Sequence, residues 1–498
     1  MPLRVRRCGY EFFAGAYYRK LTSPVTSPCQ INFAKEFSFP AFTAWLCLES
    51  NLNCGVNAPD FSKKVGLIMS DMKRNNIGVF VIVLVTLFAC AAGGDKLVFL
   101  PGLTGGQFTA TLPPTHTAIP STPTMTPLAL SATPLPIPSV TSTPTPSSSA
   151  RWVDAYYVGY EQGLLPINEI DFSALTHLMV GRITPLSDGS VNTTFDIDTT
   201  NGPIFAKAAA QAAHAAGRKA ILMLGGAGEH AGFVGAASDQ HRAAFVQNIL
   251  ARMDEYGYDG IDMDWEPVDA ADRAPLKSLI HDLRIARPNM LLTMPVGFVN
   301  ANFPGEVDAY YAEIAQDLDQ MNIMTYGMSG NYDGWDTWHF SPLFGEAPTH
   351  PVSIDHSAKR YAEIGVPKAK LGIGAGFYGT CWRNVTQPGE SLTGKNVSVT
   401  ENDMSYAAIV GNYLPHATAN IDATNKAPYL SASTAFGPNN CNFVGYDNEA
   451  SIAAKGAYVR AQGLSGVIIW TIGMGHIASA PVGQRDPLMD AIKVGFLD

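Results

Sequence analysis

The sequence lacks the patterns by which several classes of protein are recognised. Its seven cysteines are scattered, no two of them form a CxxC pair, and none has the spacing of a zinc or redox site. Basic clusters with interleaved aromatic residues are also missing. The net charge of −10 and the pI near 5.6 are unfavourable for contact with a phosphate backbone. These features argue against a metal or redox centre and against nucleic acid as a partner.

Charge is absent from one long segment. Between Lys96 and Arg151 there is no Asp, Glu, Lys or Arg, and Thr-Pro and Ser dominate, as in residues 141–146. Such a composition cannot bury a hydrophobic core and favours an extended chain. At about 3.1 Å per residue, some 50 residues could reach roughly 150 Å. We therefore predict that residues 93–150 are a linker that holds the C-terminal domain away from a membrane.

A targeting signal precedes this linker. Lys73-Arg74 is basic, residues 77–87 are almost wholly apolar, and Leu87-Phe88-Ala89-Cys90 resembles a bacterial lipobox, in which the cysteine is lipidated after cleavage. Residues 72–92 are therefore predicted to be a lipoprotein signal segment with Cys90 as the lipidation site. An uncleaved membrane anchor is the alternative, because the apolar run is borderline for the roughly 20 residues that cross a bilayer. Either way, we expect an exported and tethered protein.

Residues 1–71 carry four of the cysteines and show no clear periodicity. A signal segment that starts at Met72 is unusual, because such segments begin chains. Two accounts stay open: a start site assigned too far upstream, with this segment untranslated or disordered, or a small N-terminal domain.

From Trp152 onward, short apolar runs alternate with helical segments, which is typical of a parallel α/β fold. A helix is predicted at 239–256 from the apolar stripe that begins at Phe245, and another at about 449–462 with Asp447 as its N-cap. The segment of about 380–443 lacks this rhythm and is predicted to be an insertion. Strands are predicted near 153–159, 175–181, 220–224, 259–265, 290–295, 320–326, 370–378 and 465–470.

The run from Asp259 to Glu266 is the most informative feature. Its acids Asp262, Asp264 and Glu266 alternate with apolar residues, so in an extended strand all three project from one face. Acids are depleted in strands and costly to bury, so packing alone does not explain them. Carboxylates this close separate each other's pKa values, which supplies one protonated acid and one charged carboxylate near neutral pH.

A run of acids also occurs in two other structures, a charged edge strand and a calcium-binding loop. The apolar residues that alternate with the acids are unfavourable for an edge strand. A calcium loop needs Gly and Asn at turn positions after its acids, where this sequence has Trp265, Glu266 and Pro267. The pattern therefore favours a catalytic site.

The run resembles the DxxDxDxE signature of glycoside hydrolase family 18, with matches at Asp259, Asp262, Asp264 and Glu266. The resemblance extends over residues 151–498. It continues in Tyr156-Tyr157, Met324-Thr325-Tyr326, Phe377-Tyr378-Gly379 and Gly466-Val467-Ile468-Ile469-Trp470. It implies a (β/α)₈ barrel with the acids on the fourth strand and a small α+β insertion after strand seven. It also implies a glycosidase that needs neither a metal nor another cofactor.

The resemblance assigns roles to these residues. Glu266 would be the general acid and then the base that activates water. The acetamide oxygen of the substrate would be the nucleophile, Asp264 would hold the acetamide N–H, and Asp262 would share a proton with Asp264. Tyr326 would donate to the acetamide oxygen, and Asp259 would organise strand and loop.

Further residues are expected to bind sugar or to shape the site. Aromatic faces suit the C–H faces of pyranose rings, although each of these residues could equally be part of a packed core. Gly225 and Gly226 would belong to the structural motif of the third strand. The expected sugar contacts are Tyr156, Trp470, Tyr378 and Trp265, with Trp335, Trp338 and Trp382 as extra platforms in loops.

The sequence departs from the family pattern at two positions. Met223 stands where the family has a serine that would hydrogen-bond the deep aspartate, so we expect Asp262 to titrate differently. Gly327 stands where the family often has Asp or Asn, so one polar contact to the acid or the sugar is expected to be absent.

Cys381 and Cys441 are the only cysteines after residue 150, and they lie at the two ends of the inferred insertion. Because an insertion leaves and re-enters a barrel at neighbouring points, these two residues are predicted to form a disulfide outside the cytoplasm. Two unrelated buried thiols are the alternative.

These observations predict an exported, monomeric, retaining chitinase that cleaves β-1,4-linked N-acetylglucosamine in chitin or its oligosaccharides. An endo-β-N-acetylglucosaminidase acting on glycoprotein glycans is a second possibility. A chitin-binding lectin on the same fold is a third. Lectins of the family typically lose the acid, whereas Glu266 is present here.

Overall fold

The computed structural model describes residues 151–400 and 404–498. The strands in chain order are β1 Trp152–Val158, β2 His177–Pro185, β3 Val191–Asn192, β4 Lys219–Gly225, β5 Gly260–Asp264, β6 Leu291–Gly297, β7 Gln320–Met324, β8 Leu371–Gly376, β9 Gly379–Arg383, β10 Ser398–Thr400, β11 Thr418–Asp422, β12 Ala427–Phe436, β13 Cys441–Tyr446 and β14 Gly466–Trp470. The α-helices are α1 Asn201–Ala215, α2 His230–Ala236, α3 Arg242–Tyr256, α4 Arg273–Ala286, α5 Ala309–Ile314, α6 Ile354–Glu363, α7 Tyr406–Asn412, α8 Glu449–Gln462, α9 Ile472–Gly475 and α10 Pro487–Ile492.

Eight of these strands form a closed parallel barrel, which confirms the predicted fold class. The order around the barrel is β1, β2, β4, β5, β6, β7, β8 and β14, and β14 pairs with β1 to close it. The acid run lies on β5, the fourth strand of the barrel. In such barrels the functional side chains lie at the C-terminal ends of the strands, where Glu266 follows β5.

The barrel strands are buried on both faces, as expected for a parallel sheet covered by helices. β14 shows this clearly, since residues 466–469 are all buried. Helix α3 packs the predicted stripe, including Phe245 and Ile249, against the barrel and ends at Gly257 in the left-handed conformation (φ +81°).

The predicted N-cap of helix α8 was wrong by one residue. Asn448 caps the helix, because its side chain accepts from the backbone N–H of Ser451. In return, the Ser451 hydroxyl oxygen accepts from the backbone N–H of Asn448. Asp447 is instead buried and contacts the Lys455 ammonium at 2.5 Å. Asp447, the predicted cap, thus forms an ion pair with Lys455 of the same helix instead of capping it.

The insertion after β8 is a small α+β unit. Its five strands form an antiparallel sheet in the order β10, β9, β13, β12, β11, and α7 lies between β10 and β11 in sequence. Strand β9 begins at Gly379 and β13 ends at Tyr446, close to the predicted limits of about 380–443. The two strands pair with each other, so the insertion leaves and re-enters the barrel at neighbouring points.

Cys381 on β9 and Cys441 on β13 are joined by a disulfide with Cα atoms 5.4 Å apart. Both residues are fully buried. The bond therefore ties together the two strands at the base of the insertion.

Within residues 151–400 and 404–498, no helix has both the length and the apolar character needed to cross a bilayer. The predicted signal segment, Cys90 and the Thr/Pro-rich linker all lie outside the described residues.

Replacing both cysteines by alanine should lower the free energy of unfolding by about 4 kcal/mol, because a loop of 60 residues would no longer be closed in the unfolded chain. Urea unfolding of residues 151–498 with and without the double substitution measures this difference. Reduction of the unsubstituted protein is the control and should give a similar loss. Equal unfolding midpoints for oxidised and substituted proteins would show that the bond does not stabilise the domain.

Candidate active site

The alternation of strand β5 sorts its side chains between the barrel interior and the helical layer. Asp262 and Asp264 are buried in the barrel, whereas Met263 packs into the outer hydrophobic core. Glu266 follows the strand at the C-terminal mouth and is partly exposed. The three acids are thus arranged from the centre of the barrel to its opening, as the spacing predicts.

Asp262, the deepest acid of the run, is held by two hydroxyl groups. Tyr156 on β1 donates to Oδ2 at 2.6 Å, and Thr293 on β6 donates to Oδ1 at 2.5 Å. Burial raises the pKa of Asp262 to about 6, although both hydrogen bonds act to lower it. The hydroxyl that is missing at Met223 is therefore supplied by Thr293, from another strand.

Asp264 and Glu266 lie beside each other, and the ionisation of each affects the pKa of the other. Burial and the adjacent Glu266 charge hold the pKa of Asp264 well above its usual range. Burial also raises the pKa of Glu266, against the hydrogen bond from Asp264 and the positive charge of Arg182. The proton shared by Asp262 and Asp264, which the resemblance implies, stays a prediction, and Glu266 is a second acid that interacts with Asp264.

One oxygen of Asp264 is left open by the protein. No N–H or O–H donor among the described residues reaches its buried Oδ1 atom. A buried acceptor without a donor is costly, so such an atom in a cleft often marks a position that a ligand satisfies. The Oδ1 atom of Asp264 can therefore accept a hydrogen bond from a ligand.

Two phenols lie beside the acids. Burial and the neighbouring carboxylates hold the pKa of both Tyr156 and Tyr326 well above 10. Both therefore stay protonated, and Tyr326, at the end of β7, can donate to a ligand. The site brings these phenols to the acids from opposite sides of the barrel.

Two other aromatic residues complete the mouth. Trp470, at the end of β14, packs on Tyr156 with ring centroids 5.2 Å apart and stays partly exposed. Tyr378, just after β8, contacts Tyr326 edge-on at 6.2 Å. The predicted sugar contacts Tyr156, Trp470 and Tyr378 therefore surround the acids.

The departure at Gly327 has a structural reason. Its backbone is in the left-handed region (φ +57°), and a Cβ atom there would lie 2.8 Å from the Tyr378 hydroxyl. The phenol of Tyr378 thus occupies the space that an Asp or Asn side chain would enter. The polar group at this position comes from the next strand of the barrel.

Gly225 and Gly226 allow β4 to approach the acids closely. Both have positive φ values near +100°, and a Cβ on Gly225 would lie 2.4 Å from the carbonyl oxygen of Asp264. The backbone N–H of Gly226 donates to that oxygen at 2.6 Å. These contacts position the strand end that carries the acid pair.

Asp259 lies at the opposite end of β5 and does not reach the site. Its carboxylate contacts His214 and Lys219 at 2.8 Å and accepts from the backbone N–H of Ala220 at 2.9 Å. It fixes the start of the strand against β4, which is the organising role expected of it.

Trp265 was predicted to contact sugar, and the structure contradicts this. It stands on the outer face of the acid run, because side chains alternate along an extended chain. Its ring stacks on Phe233 of α2 at 4.7 Å and is only 2% exposed. Trp265 therefore belongs to the packing between the barrel and its helices.

Two of the three predicted loop platforms are also wrong. Trp338 is buried, stacks on His350 at 3.7 Å and donates to the carbonyl oxygen of Val352. Trp382 lies on β9 in the core of the insertion. Trp335 is partly exposed and packs edge-on against Tyr332 at 4.9 Å, so it stays available as a platform.

One group near the mouth has the composition of a cation site. His230, Asp269 and Asp272 place ligand atoms within 4.8 Å of one another. His230 Nε2 contacts Asp272 Oδ2 at 2.8 Å, and the same oxygen accepts from the backbone N–H of Asp269. These bonds satisfy the cluster internally, so the arrangement does not require an ion.

The sequence profile described as "Glycosyl hydrolases family 18" matches residues 154–475, and the chain belongs to this family. A "Probable endochitinase" of Caenorhabditis elegans is 29% identical over 285 residues, which cover 52% of this chain. The chain covers 44% of the length of that relative.

Solved structures share the fold. The Group IV chitinase of Ostrinia furnacalis, in complex with allosamidin, has a TM-score of 0.59 and 24% identity, and covers 70% of this chain and 100% of its own. Human YKL-39, described as a pseudo-chitinase that retains chitooligosaccharide binding, has the same TM-score of 0.59 with 21% identity, and covers 70% of this chain and 99% of its own. At these identities the likeness establishes the fold alone, and it gives no information on activity.

Replacing Asp262 by asparagine should stabilise the fold as the pH rises. The raised pKa, about 6 against 3.8 in the unfolded chain, means that wild-type stability is lost progressively as the pH climbs through this window. Because asparagine does not ionise, the free energy of unfolding of the variant should rise relative to that of the wild type by up to about 3 kcal/mol between pH 4 and 7.5. Urea unfolding at pH 4 and 7.5 measures it. A gap that does not change with pH would contradict the buried ionisation.

Proposed function

We propose that the domain hydrolyses β-1,4-linked N-acetylglucosamine polymers of the chitin type with retention of configuration, through an oxazolinium intermediate. The observation that carries the proposal is the arrangement of the acids: Asp264 and Glu266 lie at the barrel mouth above Asp262, and burial raises the pKa of both. One proton between two carboxylates supplies an acid and a charged group at the same time.

In the first step Glu266 protonates the glycosidic oxygen while the bond to the anomeric carbon breaks. The acetamide oxygen of the same sugar attacks that carbon, so a cyclic oxazolinium ion forms and no carboxylate of the protein needs to become a nucleophile. In the second step Glu266 takes a proton from water, the water oxygen attacks the anomeric carbon, and the ring reopens. Glu266 is then protonated again.

Asp264 and Tyr326 act on the acetamide group. The open Oδ1 atom of Asp264 accepts its N–H, and the negative charge left on Asp264 when Glu266 holds the proton stabilises the developing cation. The Tyr326 phenol, which burial keeps protonated, donates to the acetamide oxygen and fixes its line of attack. Trp470 provides an apolar face for the sugar ring.

The comparisons support a chitin-type substrate, since the relatives and several fold neighbours are named as chitinases. The likeness to a pseudo-chitinase shows that this fold alone does not determine catalysis. Glu266 and its partner Asp264 are both present here, and this favours hydrolysis over a purely binding role. The burial of Trp338 and Trp382 removes one argument for a long cleft, so glycoprotein glycans belong in the substrate panel.

We also propose that the enzyme is exported, tethered by a lipid at Cys90 and active as a monomer. The signal-like residues 72–92 and the uncharged linker support this from the sequence. The disulfide between Cys381 and Cys441 fits an oxidising compartment. Metabolic labelling with a radioactive fatty acid, compared between the full chain and its Cys90→Ala variant, tests the anchor.

Glu266→Gln should preserve the fold and lower kcat on a fluorogenic chitotrioside by about 10²–10⁴-fold, because the amide cannot protonate the leaving oxygen. The matched control is Asp269→Asn, which neutralises an exposed acid three residues further along the chain and should keep near wild-type activity.

A Glu266→Gln variant that keeps more than about a tenth of wild-type activity would remove Glu266 from the acid role.

Asp264→Asn should lower turnover far more than it weakens substrate binding, because the charge of Asp264 acts mainly as the oxazolinium cation forms.

Substrate assistance makes a separate prediction about specificity. The enzyme should cleave N-acetylated oligomers with retention, and it should leave cellohexaose and fully deacetylated chitosan untouched, since neither carries the nucleophilic acetamide. Chromatography of the products, with NMR of the newly formed anomer, measures both properties. Turnover of cellohexaose would rule out this mechanism, and release of a glycoprotein glycan with no cleavage of chitohexaose would reassign the substrate.

A further inference from the structure

Arg182 is a charged residue at the barrel mouth that the mechanism above does not use. It lies on β2, at the point where the pairing of β2 with β4 shifts register between Val180 and Ile183. Irregular pairing of this kind re-aims side chains and is common next to active sites. The Arg182 side chain is only 20% exposed, so its charge acts in surroundings that screen it weakly.

The guanidinium of Arg182 is fixed by three partners. Its Nε donates to Asp196 Oδ2 at 2.9 Å, Nη1 donates to the carbonyl oxygen of Gly225 at 2.9 Å, and Nη2 lies 3.1 Å from Glu229 Oε1. Every nitrogen of the group therefore has a contact within the protein. This is the arrangement of a cation held in place, and it leaves little capacity to bind an anionic ligand.

The same contacts place Arg182 beside the acid pair. Gly225, whose carbonyl holds the guanidinium, is paired with Asp264 in the β4–β5 register. A Cβ atom on Gly226 would lie 3.0 Å from Arg182 Nη1 and 3.7 Å from Asp264 Oδ2, so only a glycine separates the cation from the acid. The charge of Arg182 favours the ionised forms of both Asp264 and Glu266.

We infer that Arg182 is a positioning residue for the acid pair: a cation fixed by three partners that sets the pH range in which Asp264 and Glu266 ionise. The inference rests on the proposed function for its effect on catalysis. It assigns to a residue of β2 a task that neither the acid signature nor the family match contains.

Other charged and titratable groups also face Arg182 and the acid pair, and they contribute to the pKa values of the two acids. Asp196 and Glu229 face Arg182 from loops, and Tyr160 faces it from the segment after β1. The acid pair is faced by Asp262 on its own strand and by the phenols of Tyr156 and Tyr326 from β1 and β7. The buried neighbours Asp262, Tyr156 and Tyr326 are acids or phenols, so Arg182 supplies the opposite sign.

Removing the cation acts twice in the same direction. The pair loses a nearby positive charge, and the carboxylates of Asp196 and Glu229 lose the charge that compensates them. Both changes disfavour ionisation and raise the pKa of Asp264 and Glu266. Both limbs of the pH profile of kcat/KM, which report the acid and base of the free enzyme, should therefore move to higher pH.

The experiment compares pH profiles of kcat/KM on chitotetraose for residues 151–498. Arg182→Gln should shift the profile upward by about one pH unit. Arg182→Lys, which retains the charge, should keep the wild-type profile even if kcat falls. Glu229→Gln should shift the profile downward, because it leaves Arg182 less compensated. Circular dichroism and thermal unfolding establish that each variant is folded.

An unshifted profile in a folded Arg182→Gln variant would overturn the inference, since a merely structural role lowers activity without moving the limbs. If Arg182→Gln does not fold, Glu229→Gln decides, and the absence of a downward shift overturns the inference.

A wild-type protein that hydrolyses no chito-oligosaccharide would refute the proposed function alone. The inference is then tested by ¹³C NMR titration of carboxyl groups in wild type and in Arg182→Gln, with Glu266→Gln assigning the resonance. A pKa of Glu266 that does not rise in Arg182→Gln overturns the inference.

Discussion

The structure depends on one electrostatic constraint. Three carboxylates, two on a single short strand and one just after it, project into or above the interior of a barrel. Burying one ionised carboxylate without partners is costly, and adjacent carboxylates repel each other. The surrounding residues answer this cost in different ways. Tyr156 and Thr293 donate to Asp262, and burial together with the Glu266 charge raises the pKa of Asp264. Among the described residues no donor reaches the Oδ1 atom of Asp264, so the fold satisfies the acids only in part and leaves this atom open to a ligand.

The sequence predicted the barrel and its acids because these depend on local patterns. Alternation along β5 requires only an extended backbone, and the apolar runs of the other strands require only burial on both faces. The disulfide was predictable from topology, because the ends of an insertion must meet. The same local rule could have excluded Trp265 from the site, since its odd-numbered position places it on the face opposite to the acids.

The residues that the sequence did not reveal act through contacts between distant parts of the chain. Thr293 replaces a hydroxyl expected on another strand, and its only signal was a single polar residue within an apolar run. Arg182 carried a similar signal, as the one full charge in a strand whose other polar side chains are those of His177 and Thr184. Whether an exposed-looking tryptophan such as Trp338 is covered depends on His350 and Val352, and no local pattern reports that packing. Polar residues in buried strands are therefore better site markers than aromatic residues in loops.

Contacts between distant parts of the chain also join the insertion to the barrel. The buried ammonium of Lys455 on α8 contacts Asp447 after β13, Ser341 in the loop after β7 and the carbonyl oxygen of Gly374 on β8. It therefore joins the end of the insertion to one barrel strand and one loop of the barrel. Desolvation makes such a group costly, but its fixed hydrogen bonds determine geometry. Tyr378 lies between β8 and β9, where the barrel passes into the insertion, and its phenol fills the space above Gly327. The junction between the barrel and the insertion thus positions the phenol that stands where the family often has a polar side chain.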